Sequence, residues 1–183
     1  MALAQILHES GGLQCKKEKV PPHLQCGRCT GGDCSYCYTK LGRNSRRETD
    51  PPGKFYYGRG YIQISGCANY RAASHDLGFG DILVSNPDLV TRTEELCWKT
   101  AFFYWKRVVH PYPGVARGAF GCTTKAINPT LENVNHPKAI ERFNIYNSVY
   151  RSFEISVPTG CSDTVRDPRS VVGQSLCPFT GMS

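Results

Sequence analysis

Hydrophobic and polar positions follow different rhythms in different parts of this chain. Leu3, Ile6 and Leu7 recur at three- and four-residue steps and the pattern stops at Gly11-Gly12, which predicts a short helix from Ala2 to Ser10 with His8 and Glu9 in its last turn. From Gln14 to Pro52 the periodicity dissolves into Cys, Gly, Pro and charge, the pattern of a long loop. Phe55 to Ser65 mixes aromatic and β-branched residues with glycines and predicts a short strand or hairpin that bends sharply. Helical spacing then returns. Asn69 is placed to cap a helix running to Leu77 and closed by Gly78, and Thr93 to cap another from Glu94 to near Arg107, whose first turn is acidic. Asn86-Pro87 marks a turn between them. A third helix fits Pro137 to Phe153, with Ile140, Phe143, Tyr146, Tyr150 and Phe153 tracing one broad apolar face. The resulting expectation is a mainly α fold with one small β element and long loops.

Composition narrows the class. With 183 residues, 40% apolar and 11% aromatic, the chain can bury one sizeable core and little more, so one domain plus a tail is expected. The balance of 22 basic against 15 acidic residues gives +7, but no run of five or six like charges occurs, which argues against a nucleic-acid-binding arm. A diffuse basic surface suits anionic envelopes or cell walls through encounter rate. No apolar stretch approaches the ~18 residues of a membrane span, so no membrane insertion is expected.

Ten cysteines in an even count point to disulfide-held loops and to an oxidising, extracellular setting, hence a secreted protein. No leader with a basic segment and apolar stretch precedes His8-Glu9, and Met1 is read as the start of a fragment or gene model. The quartet Cys26-x2-Cys29-x4-Cys34-x2-Cys37 also admits a zinc reading, because two such knuckles can offer four thiolates. The intervening span is much shorter than in common zinc ribbons, so disulfides are favoured and no metal or other cofactor is expected. Cys15, Cys67, Cys97 and Cys122 are read as framework.

Three stretches in order carry a resemblance: Ala4-Gln-Ile-Leu-His-Glu-Ser-Gly-Gly12, Tyr56-Tyr-Gly-Arg-Gly-Tyr-Ile-Gln-Ile-Ser65 with Asn69-Tyr70, and Asn86-Pro-Asp-Leu-Val90. Trp98-Lys-Thr-Ala-Phe-Phe-Tyr-Trp105, Ala126-Ile-Asn-Pro-Thr-Leu-Glu132 and Glu141-Arg142 extend it. Together they resemble the family 19 glycoside hydrolases, the plant-type chitinases. The resemblance implies a lysozyme-like α+β fold of two helical lobes, with residues 1–157 as the catalytic domain and 158–183 as a Cys-containing tail. It also implies a monomer whose partner is chitin or a related N-acetylglucosamine polysaccharide.

An inverting glycosidase needs two carboxyl groups: one protonates the leaving oxygen, while the other activates water on the opposite sugar face at a separation of roughly 6.5–9.5 Å. By resemblance Glu9 of the His-Glu motif is the acid and Glu18 the base, with Asp33 and Glu48 as rivals for the second role. Ser65 matches a water-holding position. His8, Tyr57, Gln63, Asn69 and Asn128 match substrate-binding positions, where amides and hydroxyls can both donate to and accept from sugar groups. Glu132 and Arg142 match a supporting pair connected to the acid.

There are departures. Pro129-Thr130 follow Asn128 where the family carries glycines, Asn133 stands where many members have a cysteine, and little helical sequence precedes the His-Glu helix, so part of one lobe is expected to be missing. Three readings follow: an endo-acting chitinase, a lysozyme-like peptidoglycan hydrolase, and a non-catalytic chitin-binding defence protein.

Overall fold

The structure is a computed structural model that describes residues 1–19, 54–129 and 136–153. The stretch with Cys26, Cys29, Cys34 and Cys37, the rival bases Asp33 and Glu48, Glu132 of the supporting pair, and the tail 158–183 with Cys161 and Cys177 lie outside the described residues. The chain forms two compact units, one from Met1–His8 with residues from Trp105 onward, the other from Glu9–Tyr104.

In the first unit, α1 (Ala2–Glu9) forms as its apolar spacing predicts. It ends because Gly11, Gly12 and Leu13 take φ of 56°, 74° and 67°, left-handed backbone that no α-helix continues. The core joins Ala4 of α1 to Phe120 of α5 (Phe120–Ile127) and Phe143 of α6 (Pro137–Ser152), with Met1, Ile145, Tyr146 and Val149 packed around them. Phe120 and Tyr146 stack with ring centroids 4.5 Å apart. Gln5 is fully buried beside this core, and its amide donates to the Thr123 and Thr124 hydroxyls at 2.8 and 3.0 Å while accepting from Arg142. A buried amide with partners on both sides fixes which face of α1 meets α5 and α6.

The predicted apolar stripe of α6 is only half right. Phe143 is buried, but Ile140 is 43% and Phe153 62% exposed. The core side of α6 is formed by Ala139, Arg142 and Phe143, whereas Ile140 and Phe153 line an open groove of about 830 Å³ shared with Leu3, Leu7 and Val149. α5 has no counterpart in the sequence reading; its buried residues, Phe120, Gly121, Cys122, Thr123 and Thr124, are a consecutive run that includes a glycine and two threonines.

The second unit packs α2 (Cys67–Asp76), α3 (Ile82–Ser85), a 3₁₀ turn (Pro87–Thr91) and α4 (Glu94–Tyr104). The Tyr56 hydroxyl donates to the Val84 carbonyl at 2.9 Å and the Leu83 N–H to the Ser74 hydroxyl at 3.1 Å, tying α2, α3 and the preceding segment together. Thr93 caps α4 as expected, accepting the Leu96 N–H at 3.1 Å. The regular helix stops at Tyr104 and a π-helical turn, Trp105–Val109, replaces its predicted last turn.

Three further expectations are corrected. Asn69 is no cap: α2 starts at Cys67 behind Gly66, whose φ of 86° suits glycine, and Asn69 lies in the first turn with its amide donating to the Ser65 carbonyl at 2.8 Å. Among the described residues the predicted hairpin shrinks to two isolated antiparallel bridges, Lys17 with Arg59 and Arg59 with Ile64. Cys15, Cys67 and Cys97 are free thiols, the last two buried, whereas Cys122 is disulfide-bonded. Cys97 Sγ donates to the Val90 carbonyl at 3.3 Å, so it serves as a small core residue and not as framework.

Candidate active site

Glu18 reaches its place through a short antiparallel contact. Its N–H donates to the Gly58 carbonyl at 2.9 Å, and the Gly60 N–H donates to the Lys16 carbonyl at 2.8 Å, so residues 16–18 lie along residues 58–60. Its side chain then turns back, and Oε2 accepts the Gly58 N–H at 3.0 Å. Gly58 is closely approached: a Cβ there would stand 2.9 Å from Gln63 Oε1 and 3.1 Å from Glu18 Oε2. The carboxylate of Glu18 and the amide of Gln63 therefore face the same glycine. Gln63 sits at φ 54° in the tight turn, and its amide nitrogen donates to the Gly60 carbonyl at 2.6 Å.

The two lysines before Glu18 are clamped as well. Lys16 pairs with Glu94, which also accepts from the Tyr61 hydroxyl. Lys17 lies 3.4 Å from Asp88 Oδ1 and over the Tyr57 ring. These exposed pairs add little stability each, but they hold the main chain that leads into Glu18.

Glu9 closes α1 and is half-buried. Burial first and then the charge of Glu9 raise the Tyr104 phenol above its ordinary value, which puts the end of α4 within electrostatic reach of this carboxyl group. Tyr104 was not singled out in the sequence, where it reads as one more aromatic in an aromatic helix. Ser65 and Asn69 are half-buried and adjacent, joined by the amide-to-carbonyl bond already described.

Other sequence candidates land elsewhere. The His8 side chain is only 7% exposed and lies 3.7 Å from Glu141 of α6. Burial, then the Arg142 charge, lower its pKa to about 4, with Glu141 acting in the opposite direction. Tyr57 is 5% exposed with the Arg59 guanidinium 3.7 Å over its ring, so its ring face is likewise occupied by protein. Arg142 is buried and donates to Gln5. Asn128 ends α5 in the first unit, its N–H donating to the Thr124 carbonyl at 2.8 Å. Among the described residues no group of three or more His, Cys, Asp or Glu could hold a metal ion.

Comparison with known proteins points one way. The family model for chitinase class I matches residues 2–148. Endochitinase At2g43620 of Arabidopsis thaliana is 35% identical over 155 residues, which are 84% of this chain and 47% of that protein. Chitinase 4 of Oryza sativa subsp. japonica is 33% identical, over 84% of this chain and 48% of its own length. The crystal structure of a family GH19, class IV chitinase from Zea mays superposes with a TM-score of 0.64 at 28% identity, covering 86% of this chain and 69% of that one. Chitinase C from Streptomyces griseus HUT6037 gives a TM-score of 0.60 at 28% identity, over 82% of this chain and 56% of that one. The chain thus spans about half the length of the curated relatives it matches.

Proposed function

This chain belongs to the glycoside hydrolase family 19, chitinase class I, and from that premise we propose that it hydrolyses β-1,4 bonds inside N-acetylglucosamine polymers by an inverting mechanism, with Glu9 as general acid and Glu18 as general base. The observation that carries this reading is the Glu18 carboxylate held by the Gly58 N–H beside the Gln63 amide. A base must keep a lone pair aimed at water while its other oxygen is fixed, and one backbone donor on Oε2 supplies the fixing. Gln63 offers the donor and acceptor groups that a sugar hydroxyl or an acetamido group requires. Ser65, two residues on, is the candidate for holding the attacking water, and Asn69 and Asn128 are candidates for sugar contacts.

Glu9 gives its proton to the leaving oxygen as the bond from that oxygen to the anomeric carbon breaks. Glu18 takes a proton from the water that attacks the opposite face, so one displacement inverts the anomeric centre. No cofactor takes part. Secretion, supported by the even count of ten cysteines, and action as a monomer on chitin, a substrate supported by the names of the chitinase relatives, belong to the same reading.

The deciding experiment follows soluble chitin oligosaccharides by proton NMR in the first minutes. An α-anomeric product from the β-linked substrate is expected, and a β product would overturn the inverting mechanism. Parallel assays on colloidal chitin and bacterial walls separate this reading from a peptidoglycan hydrolase. Retention on chitin without any product would favour the binding protein.

A further inference from the structure

The peptide joining Tyr57 to Gly58 is engaged at both of its ends. Its N–H is the donor to Glu18 Oε2 at 3.0 Å, and its carbonyl accepts the Tyr70 hydroxyl at 2.7 Å. The same hydroxyl accepts from Arg59 Nη1 at 3.0 Å. Arg59 is 2% exposed and is fixed further by the Phe55 carbonyl at 2.7 Å, by Asp88 Oδ1 at 3.0 and 3.2 Å, and by the Tyr57 ring beneath it. Tyr70 is fully buried and meets Tyr56 edge to face at 5.3 Å. An unbroken line of hydrogen bonds therefore runs from Asp88 through Arg59, the Tyr70 hydroxyl and the Tyr57–Gly58 peptide to Glu18.

We infer that Tyr70, held by Arg59 and Asp88, is a positioning residue for Glu18: it sets the plane of the Tyr57–Gly58 peptide and so aims the Gly58 N–H at the base. The inference rests on the reading of Glu18 as the base. A peptide plane held at its carbonyl cannot rotate without breaking the bond to Tyr70, and each bond in such a chain polarises the next in a low-dielectric interior. Without the hydroxyl, the carbonyl loses its buried partner and the plane can turn, which weakens the bond from the Gly58 N–H to the Glu18 carboxylate. Arg59 on its charged partner is what keeps the hydroxyl proton pointing at the carbonyl, because its own N–H occupies the acceptor side of that oxygen.

The test is Tyr70→Phe in the full chain, which keeps the ring and removes only the hydroxyl. On a chitin oligosaccharide kcat should fall about tenfold, the size of one buried hydrogen bond, with KM within about twofold. In a Glu18→Gln background the same substitution should cost almost nothing, since its effect passes through the missing carboxylate. The Gly58 amide proton resonance should move in Tyr70→Phe and in Glu18→Gln alike, a readout that needs no turnover. Wild-type kcat in Tyr70→Phe, an equal loss in both backgrounds, or an unmoved Gly58 resonance would each overturn the inference while leaving the base assignment intact. Full activity in Glu18→Gln would overturn the base assignment and the inference together.

Discussion

Glu18 and Gly58 hold each other twice: the Glu18 N–H donates to the Gly58 carbonyl at 2.9 Å, and the Gly58 N–H donates back to the Glu18 carboxylate at 3.0 Å. This reciprocal pair fixes both the main chain and the side chain of one residue against a single glycine, in a loop where the neighbouring Lys17 and Lys19 are exposed.

Gly58→Ala should therefore be costly to activity. The new Cβ would approach Gln63 Oε1 to 2.9 Å and Glu18 Oε2 to 3.1 Å, and these flexible ends must move aside. Turnover should fall by up to about 10²-fold from misplacement of the base, with stability lowered by only about 1–3 kcal/mol. Steady-state kinetics beside a thermal melt checks the balance; unchanged turnover would mean that Glu18 can work from another position.

The two carboxylates should fail differently. Glu9→Gln should nearly abolish hydrolysis, because an amide does not give up a proton to the leaving oxygen. Glu18→Gln should lose roughly 10²–10⁴-fold through lost activation of water, and added azide should restore part of the turnover as a nucleophile that needs no base. Kinetics with and without azide decides the point. An active Glu18→Gln would transfer the base role to Asp33 or Glu48.

His8 sets a pH window for stability. Its folded pKa is lowered to about 4 from 6.5, so the folded state keeps it neutral while the unfolded chain takes up a proton between those values. The stability it lends is complete above pH 6.5 and is lost as pH falls toward 4, by roughly 1–3 kcal/mol. Urea unfolding of the wild type and of His8→Asn at pH 7.5 and pH 4 should show the wild-type advantage shrinking at the lower pH. A constant difference between the two proteins would refute it.

The free thiols should differ in reactivity. Cys15 is exposed, whereas burial raises the thiol pKa of both Cys67 and Cys97. Maleimide labelling followed by peptide mapping should find Cys15 modified in the native protein, Cys67 and Cys97 only after denaturation, and Cys122 only after reduction. Rapid native labelling of Cys97 would contradict the packing around α4.

The sequence by itself determined α1, the N-cap and start of α4 and the extent of α6, because these depend on near-neighbour periodicity and on motifs contained within a few residues. What α6 buries was decided elsewhere: the face that meets α5 includes Arg142 because Gln5 of α1 accepts its hydrogen bond, and no period in α6 alone marks an arginine as interior. Asn69 has the composition of a cap, yet Gly66 starts α2 because its positive φ allows the chain to turn in from the bridge at Ile64. The surroundings of Glu18 were hidden for the same reason. Gly58, which donates to its carboxylate, and Tyr70 and Asp88, which hold the adjoining peptide and Arg59, stand forty to seventy residues along the chain, and only tertiary packing brings groups of such separation into one hydrogen-bonded line.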